Sequence, residues 1–127
     1  MANSKVRRPR GARQVRKGSY VLVLVTCGTR REAAKIAQSV VSERLAACVN
    51  ILEAPVRSVY RWKGVIERST EFLLLMKTSR ARLEKLQAAI LRLHSYDVPE
   101  MIVLPIVAGS AGYLAWLAES VDTRVMS

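Results

Sequence analysis

The sequence holds one histidine, His94, and two cysteines, Cys27 and Cys48. With the carboxylates Glu67, Asp97 and Glu100 they are the candidate ligands for a divalent metal. Imidazole combined with carboxylate or thiolate suits Cu(II) or Zn(II). There is no Cys-x-x-Cys and no His-x-x-x-His, so no site is spaced in advance along the chain. The imidazole and the carboxylates or thiolates would then come from neighbouring subunits. The metal candidates are therefore His94, Cys27, Cys48 and Glu100, each weighed against a packing role. His94 also reads as a hydrogen-bonded histidine at an interface. Cys48, inside an apolar run, reads as a packed thiol. Cys27 ends a strand beside a helix N-terminus, where the dipole favours a thiolate.

Enzymatic chemistry is not expected. His94 and Asp97 could form an acid–base pair, but no nucleophile stands at a recognisable spacing. Gly28 precedes a helix and could seat an anion, yet it belongs to no Walker or dinucleotide loop.

The elements that position these groups follow from patterning. Tyr20–Thr26 is a continuous apolar run, as in a strand buried on both faces. Thr29 and Glu32 fit a capping box for a helix over Arg30–Leu45. A second strand over Ala46–Leu52 is interrupted at Pro55 by a bulge or bend and resumes through Trp62. Lys63-Gly64 is a turn signal, and Val65–Thr78 returns as a third strand. That hairpin is longer than a small sheet requires and implies an arm reaching another subunit.

Ser79 can cap a second helix carrying Leu83, Leu86, Ile90 and Leu93. Pro99 stiffens the loop His94–Glu100. Met101–Ile106 is a strand that Pro105 confines to a sheet edge or a bulge. Gly109-Ser110 opens a short third helix. The order β-α-β-β-α-β plus a terminal helix is the split βαβ, ferredoxin-like plan, an α+β fold. Two helices cover one sheet face only. The back of the sheet then calls for an oligomer.

Composition bounds the rest. The 127 residues suit one domain, and no run of about 18 apolar residues predicts a membrane helix. The net charge of +11 is concentrated: residues 1–19 carry seven basic side chains and no acid. This segment reads as a disordered basic tail, leaving a domain over residues 20–127. It could be a solvated extension, a non-specific contact for nucleic acid, or an Arg-rich transit peptide. Two unpaired cysteines point to a cytoplasmic protein. Specific nucleic-acid binding is not expected, because the central strands offer only Tyr20 and Phe72 for stacking. Tyr60-Arg61-Trp62-Lys63 interleaves rings with cations, and its aromatics read as interface packing.

Five ordered segments carry a resemblance: Leu45–Ile51, Val59–Gly64, Leu73–Thr78, His94–Glu100 and Tyr113–Leu117. Over residues 20–121 the chain resembles the CutA divalent-ion tolerance family. The resemblance implies a homotrimer with hairpins wrapped between neighbours, a part in divalent metal (copper) tolerance, and metal held between subunits. It is also similar in plan to the PII signalling proteins, implying a small ligand or protein partner in an intersubunit cleft. Tyr60, Trp62, Tyr96, Asp97 and Trp116 are the residues expected at that cleft and interface. Ser95 stands where the family usually has proline, and Asp97 where glutamate is common. Copper ligands that some members add next to the histidine and in the first strand are absent, since Leu93 and Val25 occupy those places.

Overall fold

A computed structural model describes residues 19–123, so the basic tail lies almost wholly outside the described residues. Strand β1 (Tyr20–Cys27) alternates, with Val21, Val23 and Val25 fully buried on one face. It pairs antiparallel with β4 (Val65–Ser79) from Tyr20↔Ser79 to Cys27↔Phe72. On its other side lies β5 (Met101–Pro105). Strand β2 (Cys48–Ile51) flanks β4, giving the order β2-β4-β1-β5. The two continuous apolar runs are thus the central strands, as the ferredoxin-like plan requires. Pro105 sits at the end of the edge strand β5, where its missing donor costs no ladder bond on the open side.

The sheet has five strands rather than four, because the expected second strand breaks at Pro55. Residues Leu52–Pro55 stand against only Phe72 and Leu73, and the Leu52 N–H donates to Leu73 O at 3.0 Å. Beyond this bulge β3 (Val56–Trp62) pairs with residues 65–71 of β4 as a separate arm. Lys63 (φ +50°) and Gly64 (φ +81°) close it as a two-residue turn with both φ positive. At about 3.3 Å per residue, the fifteen residues of β4 span roughly 50 Å.

Helix α1 (Arg30–Ser42) is capped by Thr29, whose Oγ1 accepts from the Glu32 N–H at 3.1 Å. It stops three residues short of the expected Leu45. Arg44 takes φ +57° there. The Arg44 and Leu45 amides then close back onto Val41 O and Val40 O at 3.1 and 2.9 Å, a Schellman ending without glycine. The Arg44 guanidinium is held by Ser120 O at 3.1 Å. Helix α2 (Leu83–Leu93) starts after a 3₁₀ turn at Arg80–Arg82, and Ser79 makes no capping side-chain bond.

Helices α1 and α2 cover the Val21–Val23–Val25 face. Ile36, Val40, Leu74, Met76, Leu86 and Ile90 complete its core. Helix α3 (Ala111–Ser120) builds a smaller cluster of Leu114, Leu117 and Val121 with Ala47. On the other sheet face Leu22, Leu24, Leu73 and Leu75 stay half-exposed, and Ile102 and Leu104 are exposed. Among the described residues no helix is long and apolar enough to cross a membrane.

Candidate functional site

His94 caps the C-terminus of α2 in an extended conformation, with its N–H on Ile90 O. This turns the ring under the end of β1, where it is only 8% exposed. Its Nε2 lies 2.7 Å from Thr26 O, and its Nδ1 accepts the Tyr96 N–H at 3.0 Å. A backbone amide can only donate, so these partners assign the proton to Nε2 and a neutral ring. Glu32 reaches in from the first turn of α1. Its Oε2 accepts the Ser95 N–H at 2.9 Å, so it ties down the loop instead of closing the expected capping box.

The Glu32 Oε1 is buried without a hydrogen-bond partner among the described residues, 3.8 Å from His94 Nδ1. Cys27, the last residue of β1, completes the group. One ligand atom from each of Cys27, Glu32 and His94 lies within 4.8 Å of the others. Cys27 is fully buried. Burial, reinforced by the charges of Glu32 and Glu71, pushes its thiol up to about 12. Desolvation here outweighs the helix dipole that would favour a thiolate.

The donor types are those of a copper or zinc site. The orphaned Oε1 is a ready oxygen. To bind, a metal must displace the thiol proton and take the Nδ1 lone pair now given to Tyr96. All three donors come from one chain.

Cys48 and Glu100 do not belong to this group. Cys48, on β2, is hydrogen-bonded with Tyr113 of α3, whose hydroxyl is raised by burial first and by Cys48 second. Trp116 packs on Tyr113 at 5.3 Å between ring centroids, in the α3 cluster.

Glu100 opens instead onto a cleft of about 670 Å³ between the arm and the loop after α2. Tyr60, Trp62, Tyr96 and Asp97 line it too, as do Glu71 and Thr26. Tyr96 links it to the His94 group. Its hydroxyl donates to Glu71 Oε2 at 3.1 Å, and its ring tilts against His94 at 4.7 Å. Burial and the Glu71 bond push the Tyr96 hydroxyl up to about 12. Gly28 makes room for it: a Cβ there would stand 2.9 Å from the Tyr96 hydroxyl.

Of the five residues expected at an intersubunit cleft or interface, Tyr60, Trp62, Tyr96 and Asp97 line this cleft within one chain, and Trp116 lies in the α3 cluster. Sequence reasoning missed the positioning roles of Glu32, Glu71 and Gly28. Glu32 carried the signal of a cap. Glu71 carried only the oddity of an acid opening the apolar half of β4.

A ferredoxin-like α+β subunit with a projecting hairpin and an uncovered sheet back is the class this architecture defines. The family model described as CutA1 divalent ion tolerance protein matches residues 21–120, and the chain belongs to that family. It is 44% identical over 99 residues to the divalent-cation tolerance protein CutA of Thermus thermophilus, covering 78% of this chain and 95% of that one. The Protein CutA, chloroplastic, of Arabidopsis thaliana is 46% identical over 100 residues, or 79% of this chain. The chain spans only about half of that relative, 54% of its length. The solved structure of a divalent cation tolerance protein from Thermus thermophilus superposes with a TM-score of 0.79 at 43% identity, covering 81% of this chain and 99% of that one.

Proposed function

We propose that this protein acts in divalent-cation tolerance, with copper among its cations, as a non-catalytic homotrimer that holds metal at Cys27, Glu32 and His94. The observation that carries the reading is the convergence of sulfur, oxygen and nitrogen donors within 4.8 Å, one of them a buried carboxylate oxygen with no partner. Family membership supports the cation class. The half-exposed back of the sheet supports the oligomer. The protonated, buried thiol supports a role other than nucleophile. A cytoplasmic site of action goes with the two free cysteines, although the Arabidopsis relative is chloroplastic by name.

The test is calorimetric titration of Cu(II) and Zn(II) into the reduced full chain, with mass from light scattering in the same buffer. Saturable uptake of one metal per chain by a trimer is expected. His94→Ala and Cys27→Ser are expected to lower affinity at least tenfold while the trimer persists. Unchanged affinity in both variants removes these residues from the site. A second reading, a PII-like trimer with a ligand in its clefts, is favoured by the arm–loop cleft itself.

A further inference from the structure

We propose that the cleft between the arm and the loop after α2 binds an organic cation of the alkylammonium class. This goes beyond the metal reading and concerns different ligand groups. The chain carries a net charge of +11, yet among the described residues no Lys, Arg or His lines the cleft. Three carboxylates do: Glu71, Asp97 and Glu100. Three aromatic rings do as well: Tyr60, Trp62 and Tyr96.

Glu71 is the most telling. It is 6% exposed, and among the described residues its side chain is hydrogen-bonded by the Tyr96 hydroxyl, at Oε2. A carboxylate this far out of water and lining the cleft gains from a cation brought to it. Aromatic faces attract ammonium groups and supply nothing that a bare metal ion needs. The volume, about 670 Å³, is that of a small-molecule site and far larger than one ion. Val59, Val98 and Pro99 give the apolar wall that methylene groups would cover. The shared chemistry is an ammonium head on a hydrocarbon chain, either a polyamine or a quaternary amine.

The test follows Trp62 fluorescence in the full chain carrying Trp116→Phe, titrated with spermidine and, separately, with choline at matched ionic strength. A saturable change with at least one of them is expected, spermidine marking a polyamine site and choline a quaternary-ammonium site. Glu71→Gln and Glu100→Gln are each expected to weaken that binding at least tenfold. Asp97→Asn, in the exposed loop, keeps the test open should Glu71→Gln fail to fold. No saturable change with either cation overturns the proposal, as does binding that none of the three variants weakens. Mn(II) titrated alone is the metal control: Mn(II) binding at the cleft with neither organic cation bound overturns the ligand class. Copper uptake is read by calorimetry on Cys27→Ser and His94→Ala, so failure there leaves this result separate.

Discussion

At the scale of single residues, the feature with the widest reach is the protonation of Cys27. Its thiol is held well above the usual value of 9, at about 12. The folded state therefore binds this proton more tightly than the unfolded chain does. The resulting stability is complete below about pH 9 and is lost as pH rises towards 12. Tyr96, raised from 10 to about 12, acts in the same direction. Cys27 alone adds a slope of at most about 1.4 kcal/mol per pH unit in that window. Urea midpoints measured from pH 8 to 11 are expected to fall above pH 9, and less steeply in Cys27→Ala. Identical slopes would show that the thiol does not titrate with unfolding.

This direction was not legible in the sequence. The position of Cys27 beside a helix N-terminus is visible from spacing, but the carboxylates Glu32 and Glu71 come from elements the sequence does not bring together. His94 could be singled out because it is the sole imidazole. Its saturation by Thr26 and Tyr96 depends on the extended cap conformation, which no residue type announces.

At the scale of elements, the helix α1 terminus is a place where local rules point the wrong way. Apolar spacing continues through Leu45, so periodicity extends the helix; with no glycine at the end, nothing in composition stops it. What stops it is Arg44, held at φ +57° by backbone closure and by Ser120 across the molecule. Arg44→Gly and Arg44→Ala both lose the Ser120 bond, but only glycine takes that φ without cost. Thermal or urea unfolding is expected to find the glycine variant more stable by about 1 kcal/mol. Equal stabilities would mean that the left-handed turn relaxes. The central strands, by contrast, were legible at once, since an apolar run on both faces of β1 and β4 leaves no edge position for either. The Pro55 interruption and the Lys63-Gly64 turn were equally readable, because both act through fixed backbone chemistry.

At the scale of the whole molecule, the uncovered sheet back is the surface on which the proposed trimer is tested. Leu22, Leu24, Leu73 and Leu75 form its centre, and the exposed Ile102 and Leu104 extend it to the open edge of β5. These side chains add little to the isolated subunit, so charging them tests association rather than folding. Ile102→Lys with Leu104→Lys is expected to shift the light-scattering mass at micromolar concentration from trimer to monomer, with the circular dichroism of the subunit retained. A trimer of unchanged mass would place the subunit contact elsewhere. The uncovered sheet back could be read from the sequence, because two helices cannot cover two faces. The cleft could not be, since it exists only where the arm and the loop meet.

Strand β4 also sets an order of events that the finished fold conceals. Its pairing with β1 joins residues from 45 positions apart (Cys27 and Phe72) to 59 (Tyr20 and Ser79), whereas its pairing with β3 starts across two. Loop-closure entropy makes the second far easier to begin, and hairpins of this kind zip within microseconds. The Lys63-Gly64 turn is then the natural nucleus, and the hairpin extends β4 before the distant β1 arrives. The segment that projects farthest from the core becomes the template on which the core is laid down.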